Sequence, residues 1–167
     1  MRQFFISTAL LCVIQMTPAL VKSALANESI IAIIVANNQS TDDLKLAPNQ
    51  LSLIYWRKQL YWPKGLRIKP VNLRSEHPLR QQFSQTILGG LPKTQIDYWN
   101  GQYFNGVLPP YSVNSEEAVL RYVSQTNGAI GYVNACAVDS RVKAFLWIIN
   151  NQVTANAPAS LDCKQHN

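Results

Sequence analysis

Among 167 residues there are only two histidines, His77 and His166, and only three cysteines. No Gly-x-Ser-x-Gly elbow, His-Glu-x-x-His helix or Gly-Lys-Ser/Thr phosphate loop occurs. Those absences remove the common serine-hydrolase, zinc-protease and nucleotide-binding chemistries. Acidic residues are scarce too, 9 against 15 basic. The paired acids Asp42-Asp43 and Glu116-Glu117 do not fill the gap, because adjacent carboxylates point in different directions and read as solubilising groups. With no nucleophile–base pair, the chain is read as a non-enzyme that needs no cofactor. Long apolar runs are also missing after the first residues, as are internal repeats and low-complexity linkers.

At the start, Met1-Arg2-Gln3 is short and basic, Phe4 to Val21 is mostly apolar, and Ala24-Leu25-Ala26 is a small-x-small exit. This is the pattern of a secretory signal peptide over residues 1–26, cleaved after Ala26. The apolar run is short and is broken by Gln15 and Pro18, which argues against a membrane span. The expected organisation is a leader, one domain over 27–150, and a tail over 151–167 in the periplasm. Without the leader, 13 basic residues face 9 acidic ones, too small an excess to demand nucleic acid or a membrane surface. Seven of those bases, Arg57 to Arg80, share one stretch with Glu76 as its single acid. That stretch reads as a solvated basic face, an anion site or a docking surface. It lacks the aromatic–basic interleaving that stacks bases.

Two cysteines remain, Cys136 and Cys163. In an oxidising compartment one disulfide between them is the simplest reading, tying the tail to the loop after Gly131-Tyr132-Val133. Free thiols or metal ligands are the other readings, but His77 and His166 lie too far off in sequence for zinc spacing, and no metal is expected.

The mature chain alternates strand-like and helix-like segments, which predicts an α/β layered domain with a mostly parallel sheet flanked by helices. Ser29 to Ala36 is a continuous β-branched run, as in a strand buried on both faces. Pro48 and Asn49 open a short helix carrying Leu51, Ile54 and Tyr55. Leu66 to Leu73 alternates as a second strand, with Pro70 suggesting an edge or a bend. A helix then starts between Ser75 and Pro78 and carries Leu79, Phe83 and Ile87 on one stripe. Another helical stretch passes through Ile96, Trp99 and Phe104. Ser115 caps a further helix with Val119, Tyr122 and Val123 inward. Ala129 to Val133 and Val142 to Ile149 are strands.

The strand-to-helix junction at Leu73–Pro78 is where a binding protein would be built. Free backbone N–H groups and the helix dipole attract anions there, and Arg74 and Arg80 flank it. Arg80 also reads as an ordinary solvent-facing helix residue.

Several segments resemble the phosphate-binding proteins of ABC importers, within the type 2 periplasmic binding-protein superfamily. They are Ile54-Tyr55, Trp62-Pro63-Lys64-Gly65, Ile68 to Val71, Phe83 to Leu88, Tyr98-Trp99, Phe104, Gly106, Pro109-Pro110, and Gly128 to Val133 with Val142-Lys143. The resemblance runs from about residue 30 to 148 and implies one lobe of a two-lobed fold. It also implies an inorganic anion such as phosphate as ligand, and a membrane transporter or sensor protein as partner. In the family an arginine followed by Ser-Gly-Thr donors holds phosphate. Arg74 matches the arginine, whereas Pro78, Leu79 and Arg80 replace the donors. The anion-site candidates are therefore Arg74, Ser75, His77 and Arg80. A module that kept the fold and lost the ligand is the alternative.

Overall fold

The structure, a computed structural model, describes residues 29–40 and 46–163. The expected leader, the Asp42-Asp43 pair and His166 lie outside the described residues.

The continuous apolar run becomes strand β1 (Ile31–Ala36), and every residue in it is buried. It is followed by helix α1 (Gln50–Tyr55), β2 (Lys69–Leu73), α2 (Pro78–Leu88), α3 (Ile96–Phe104), β3 (Tyr111–Val113), α4 (Glu116–Gln125), β4 (Ala129–Asn134), β5 (Val142–Ile149) and β6 (Gln152–Thr154). The described strands form one six-stranded sheet in the order β3-β2-β4-β1-β5-β6. The α/β class follows directly, and the sheet is mixed. β2 runs parallel to β3 and β4, while β1 is antiparallel to both β4 and β5. Burial of β1 on both faces comes from the layers above and below it, and burial carries no information about strand direction. β6, within the segment read as a tail, pairs with β5 as a hairpin edge.

Pro70 sits near the start of an interior strand, where only β4 is yet paired and the side its nitrogen faces is still open. Lys69 N–H donates to Gly128 O at 3.0 Å. Alternation along the strand turns the next nitrogen toward the other neighbour, where β3 pairs only from Val71. The missing N–H of Pro70 therefore removes no ladder bond.

The layers meet through specific contacts. Gly131 lets α4 lie close on β4: a Cβ there would come within 2.7 Å of Val119 and 2.9 Å of Val123. On the opposite face Tyr132 stacks on Phe83 of α2, with centroids 4.0 Å apart and planes 2° from parallel. Tyr55 closes that cluster edge-on to Phe83 at 4.6 Å. Each fully buried side chain of this size contributes on the order of 1.5–3 kcal/mol. Gly128 is forced twice over, by φ +80° and by Arg67 O lying 2.2 Å from where a Cβ would stand.

α4 begins as its sequence predicts, with Ser115 Oγ accepting from Ala118 N–H at 3.2 Å. Its two acids have separate tasks. Glu116 accepts from Asn134 N–H at 2.6 Å, and Glu117 pairs with Arg141 at 2.7 Å. Tyr122 is half-buried against the core rather than inside it. α3 forms over the expected helical stretch, but none of its residues is buried, and Ile96 and Phe104 are 56% and 87% exposed. It is held to the body by Tyr98, whose hydroxyl donates to Trp56 O at 2.8 Å, and by Trp99 stacked on Trp56.

Cys136 and Cys163 form the expected disulfide, with Cα atoms 5.5 Å apart. The bridge ties the chain beyond β6 to the 3-10 turn Ala135–Ala137 that follows β4.

Candidate functional site

β3 and β4 flank β2 on opposite sides. The chain leaves the C-terminal end of β2 through α2, packed on one face of the sheet, and returns through α4 on the other. The crossover direction changes at the end of β2, and such a switch point leaves a crevice outside the carboxyl ends of parallel strands. A cavity of about 440 Å³ opens there. The end of β2 and the start of α2 form its floor. Pro92, Gln95, Trp99, Pro109, Pro110 and Ser112 complete its wall.

Arg80 is the centre of the floor. It is 7% exposed, not solvent-facing. It projects from the first turn of α2 toward β2. Its Nη1 donates to Asn72 Oδ1, and its Nη2 donates to Gln95 Oε1 at 3.2 Å. Both partners are neutral. A guanidinium out of water without a counter-charge is costly, and here it lies on a cavity wall, where an anion from solvent can supply that charge.

Asn72 is held by more than Arg80. Tyr132 Oη donates to Asn72 Oδ1 at 3.3 Å and accepts from Leu73 N–H at 3.3 Å. With two donors on Oδ1 the amide has one orientation, so its Nδ2 group is a donor with no protein acceptor among the hydrogen bonds that Asn72 makes. Asn72 lines the cavity. Gln95 is used up, since its Nε2 donates to Gly90 O at 3.3 Å. Burial pushes the Tyr132 phenol up to about 12, so it stays a protonated donor across the physiological range.

The other candidates take different places. Arg74 and Ser75 are exposed on the cavity rim. Ser75 Oγ donates to Glu76 at 2.5 Å. That bond, the carboxylate's own backbone N–H and the nearby Arg74 hold Glu76 below the usual carboxylate range, so a negative charge also stands at the rim. His77 is the N-cap of α2: its Nδ1 accepts from Leu79 N–H at 3.3 Å. Pro78 has no N–H, so the helix start offers fewer free donors than the sequence suggested. Of Arg74, Ser75, His77 and Arg80, the structure brings Arg74, Ser75 and Arg80 onto one cavity and puts His77 behind it. Asn72, Gln95 and Tyr132 were not singled out from sequence. A polar Asn72 inside the apolar strand Val71–Leu73 was the available signal.

No protein-family model matches the chain, and no curated protein matches its sequence. Its fold is similar to several solved structures. One is from Clostridium perfringens, described as a phosphate ABC transporter substrate-binding protein with bound phosphate. It has TM-score 0.55 and 20% identity over 70% of this chain and 44% of that one. Another is an ABC-type phosphate transport receptor from Vibrio cholerae, with TM-score 0.51 and 19% identity over 70% and 46%. At these identities the likeness establishes a shared fold. The chain spans less than half the length of either structure.

Proposed function

We propose that this chain is an exported anion-binding domain, cleaved after Ala26, that takes a phosphate-like oxyanion at Arg80 and works in the periplasm beside an ABC-type importer. The observation that carries the reading is the buried Arg80 guanidinium, hydrogen-bonded only to neutral side chains on the wall of an open cavity. Asn72 Nδ2 is the second donor, and Arg74 and Ser75 complete the rim. His77 serves by fixing the start of α2. The two phosphate-transport proteins of similar fold support the choice of anion.

Two charge-assisted hydrogen bonds at about 1.5–3 kcal/mol each sum to about 3–6 kcal/mol, which corresponds to binding between roughly several millimolar and tens of micromolar. The outer half of the ion remains in water, because the chain supplies one lobe's worth of donors. Titration calorimetry with inorganic phosphate should give heat in that range, and Arg80→Gln should abolish it. No heat at ten millimolar phosphate would sink the reading. N-terminal sequencing of the exported protein should begin at Asn27.

A second reading is favoured by the bare face of α3, where Phe104 is 87% exposed. There the domain would serve as an interaction or sensory module docking on a membrane partner, and phosphate would have no effect on it.

A further inference from the structure

Arg80 is satisfied by one oxyanion, yet the space in front of it is several times larger than such an ion. Counting about 30 Å³ for each water-sized atom, a tetrahedral oxyanion fills roughly 100–150 Å³. The cavity at Arg80 holds about 440 Å³. It adjoins a second of about 420 Å³, and the two share Ser75, Glu76 and Pro92 on their walls. The second cavity adds Leu91 and Ile96, which with Pro92 make an apolar side, and Gln81 and Lys93 as polar wall. Ile96 is 56% exposed, a large aliphatic group left in water beside a charged site. Trp99, Pro109 and Pro110 add apolar surface to the wall of the first cavity.

From this geometry we infer that the site is built for an organic oxyanion, a phosphate or carboxylate head carried on an apolar body, rather than for a bare inorganic ion. The inference rests on the anion reading above. The head lies on Arg80 and Asn72 Nδ2. The body crosses Pro92 and covers Leu91 and Ile96. Arg80 and Arg74 meet the head, and the second cavity carries one charge of each sign, Glu76 and Lys93, so it sets no net charge on the body and the apolar wall decides what the body is. A monoester gains burial of its body against the Leu91–Ile96 wall, which for a ring half covered is about a tenfold gain in affinity.

The test is titration calorimetry of the whole protein with matched pairs: inorganic phosphate against phenyl phosphate, and acetate against benzoate. At least one aromatic member should bind about ten times tighter than its bare partner, and phenol alone should give no heat. In the double variant Leu91→Ser, Ile96→Ser that preference should fall below twofold while inorganic phosphate binds as before. Both residues are at least partly exposed, so the fold survives the change, and circular dichroism checks this. Phosphate binding with no preference in either pair overturns the inference and leaves the anion reading standing. No binding of any of the four anions overturns both. A preference that persists in the double variant overturns the placement on this wall.

Discussion

Two arginines in this molecule live in opposite surroundings. Arg141 is on the surface, bonded to Glu117 at 2.7 Å on each of two nitrogens and to Asp139 at 2.7 Å. Arg80 is buried and has only the amide oxygens of Asn72 and Gln95. The exposed cation, which water would satisfy at little cost, has two counter-charges. The buried one has none. Stability alone favours the reverse arrangement. A cation that is expensive to bury and left uncompensated at a cavity is therefore a mark of binding, and a saturated surface cation is a mark of local bracing.

The sharpest way to break the comparison is to remove each arginine in turn. Arg80→Met should lower phosphate affinity by at least about thirtyfold, the worth of a charged hydrogen-bond pair, as read by calorimetry. Its thermal stability should change by no more than about 1 kcal/mol, because Asn72 Oδ1 keeps the Tyr132 hydroxyl and the cost of a buried charge is relieved. A large loss of stability with binding intact would reverse the assignment.

Tyr132→Phe should have a smaller effect on binding, about three- to tenfold, because Asn72 loses the donor that fixes its amide. It should cost about 1 kcal/mol in denaturant unfolding. It also has a pH signature. The folded state holds the Tyr132 phenol at about 12 through burial, above its ordinary value near 10. Its contribution is complete below pH 10 and is lost as pH rises toward 12, since only the unfolded chain releases the proton easily. The variant should show a shallower alkaline fall. Some slope remains, because burial also raises Tyr55.

Arg141→Ala should have the smallest effect. Phosphate binding should be unchanged and the melting temperature near neutral pH should barely move. The hydrogen bonds from Arg141 hold Glu117 and Asp139 below their ordinary values. Their contribution is present at neutral pH and disappears as pH falls, so the variant should lose part of the acid dependence of the melting temperature.

The frame of this molecule was legible wherever residue pattern and burial coincide. The runs at Ile31–Ala36, Ala129–Asn134 and Val142–Ile149 are strands, and Ser115 caps its helix. The parallel pairing of β2 with β3 and β4 was expected, but the direction of β1 was not legible, because it depends on which neighbours the strand finds rather than on its own residues. α3 was legible as a helix, but how it is held was not: Tyr98 and Trp99 pack on Trp56 while Ile96 and Phe104 stay exposed. At the candidate site, Arg74 to Arg80 marked a junction that lines the cavity, while Arg80 could be read as facing either way. Its direction is set by Asn72 and Gln95, eight residues before it and fifteen after, and sequence periodicity does not report such partners.

The disulfide has a consequence for solubility. It closes a loop that contains β5 and β6, and β6 is only three residues long, paired along the outer side of β5 at Trp147–Ile149. A strand that short peels easily, and peeling bares the backbone edge of an apolar strand, a ready template for another chain. With Cys163 fastened to the turn after β4, the peeled segment stays on a short leash and re-pairs. Under reducing conditions the first symptom should be light scattering from edge-to-edge association, well before any loss of helical signal.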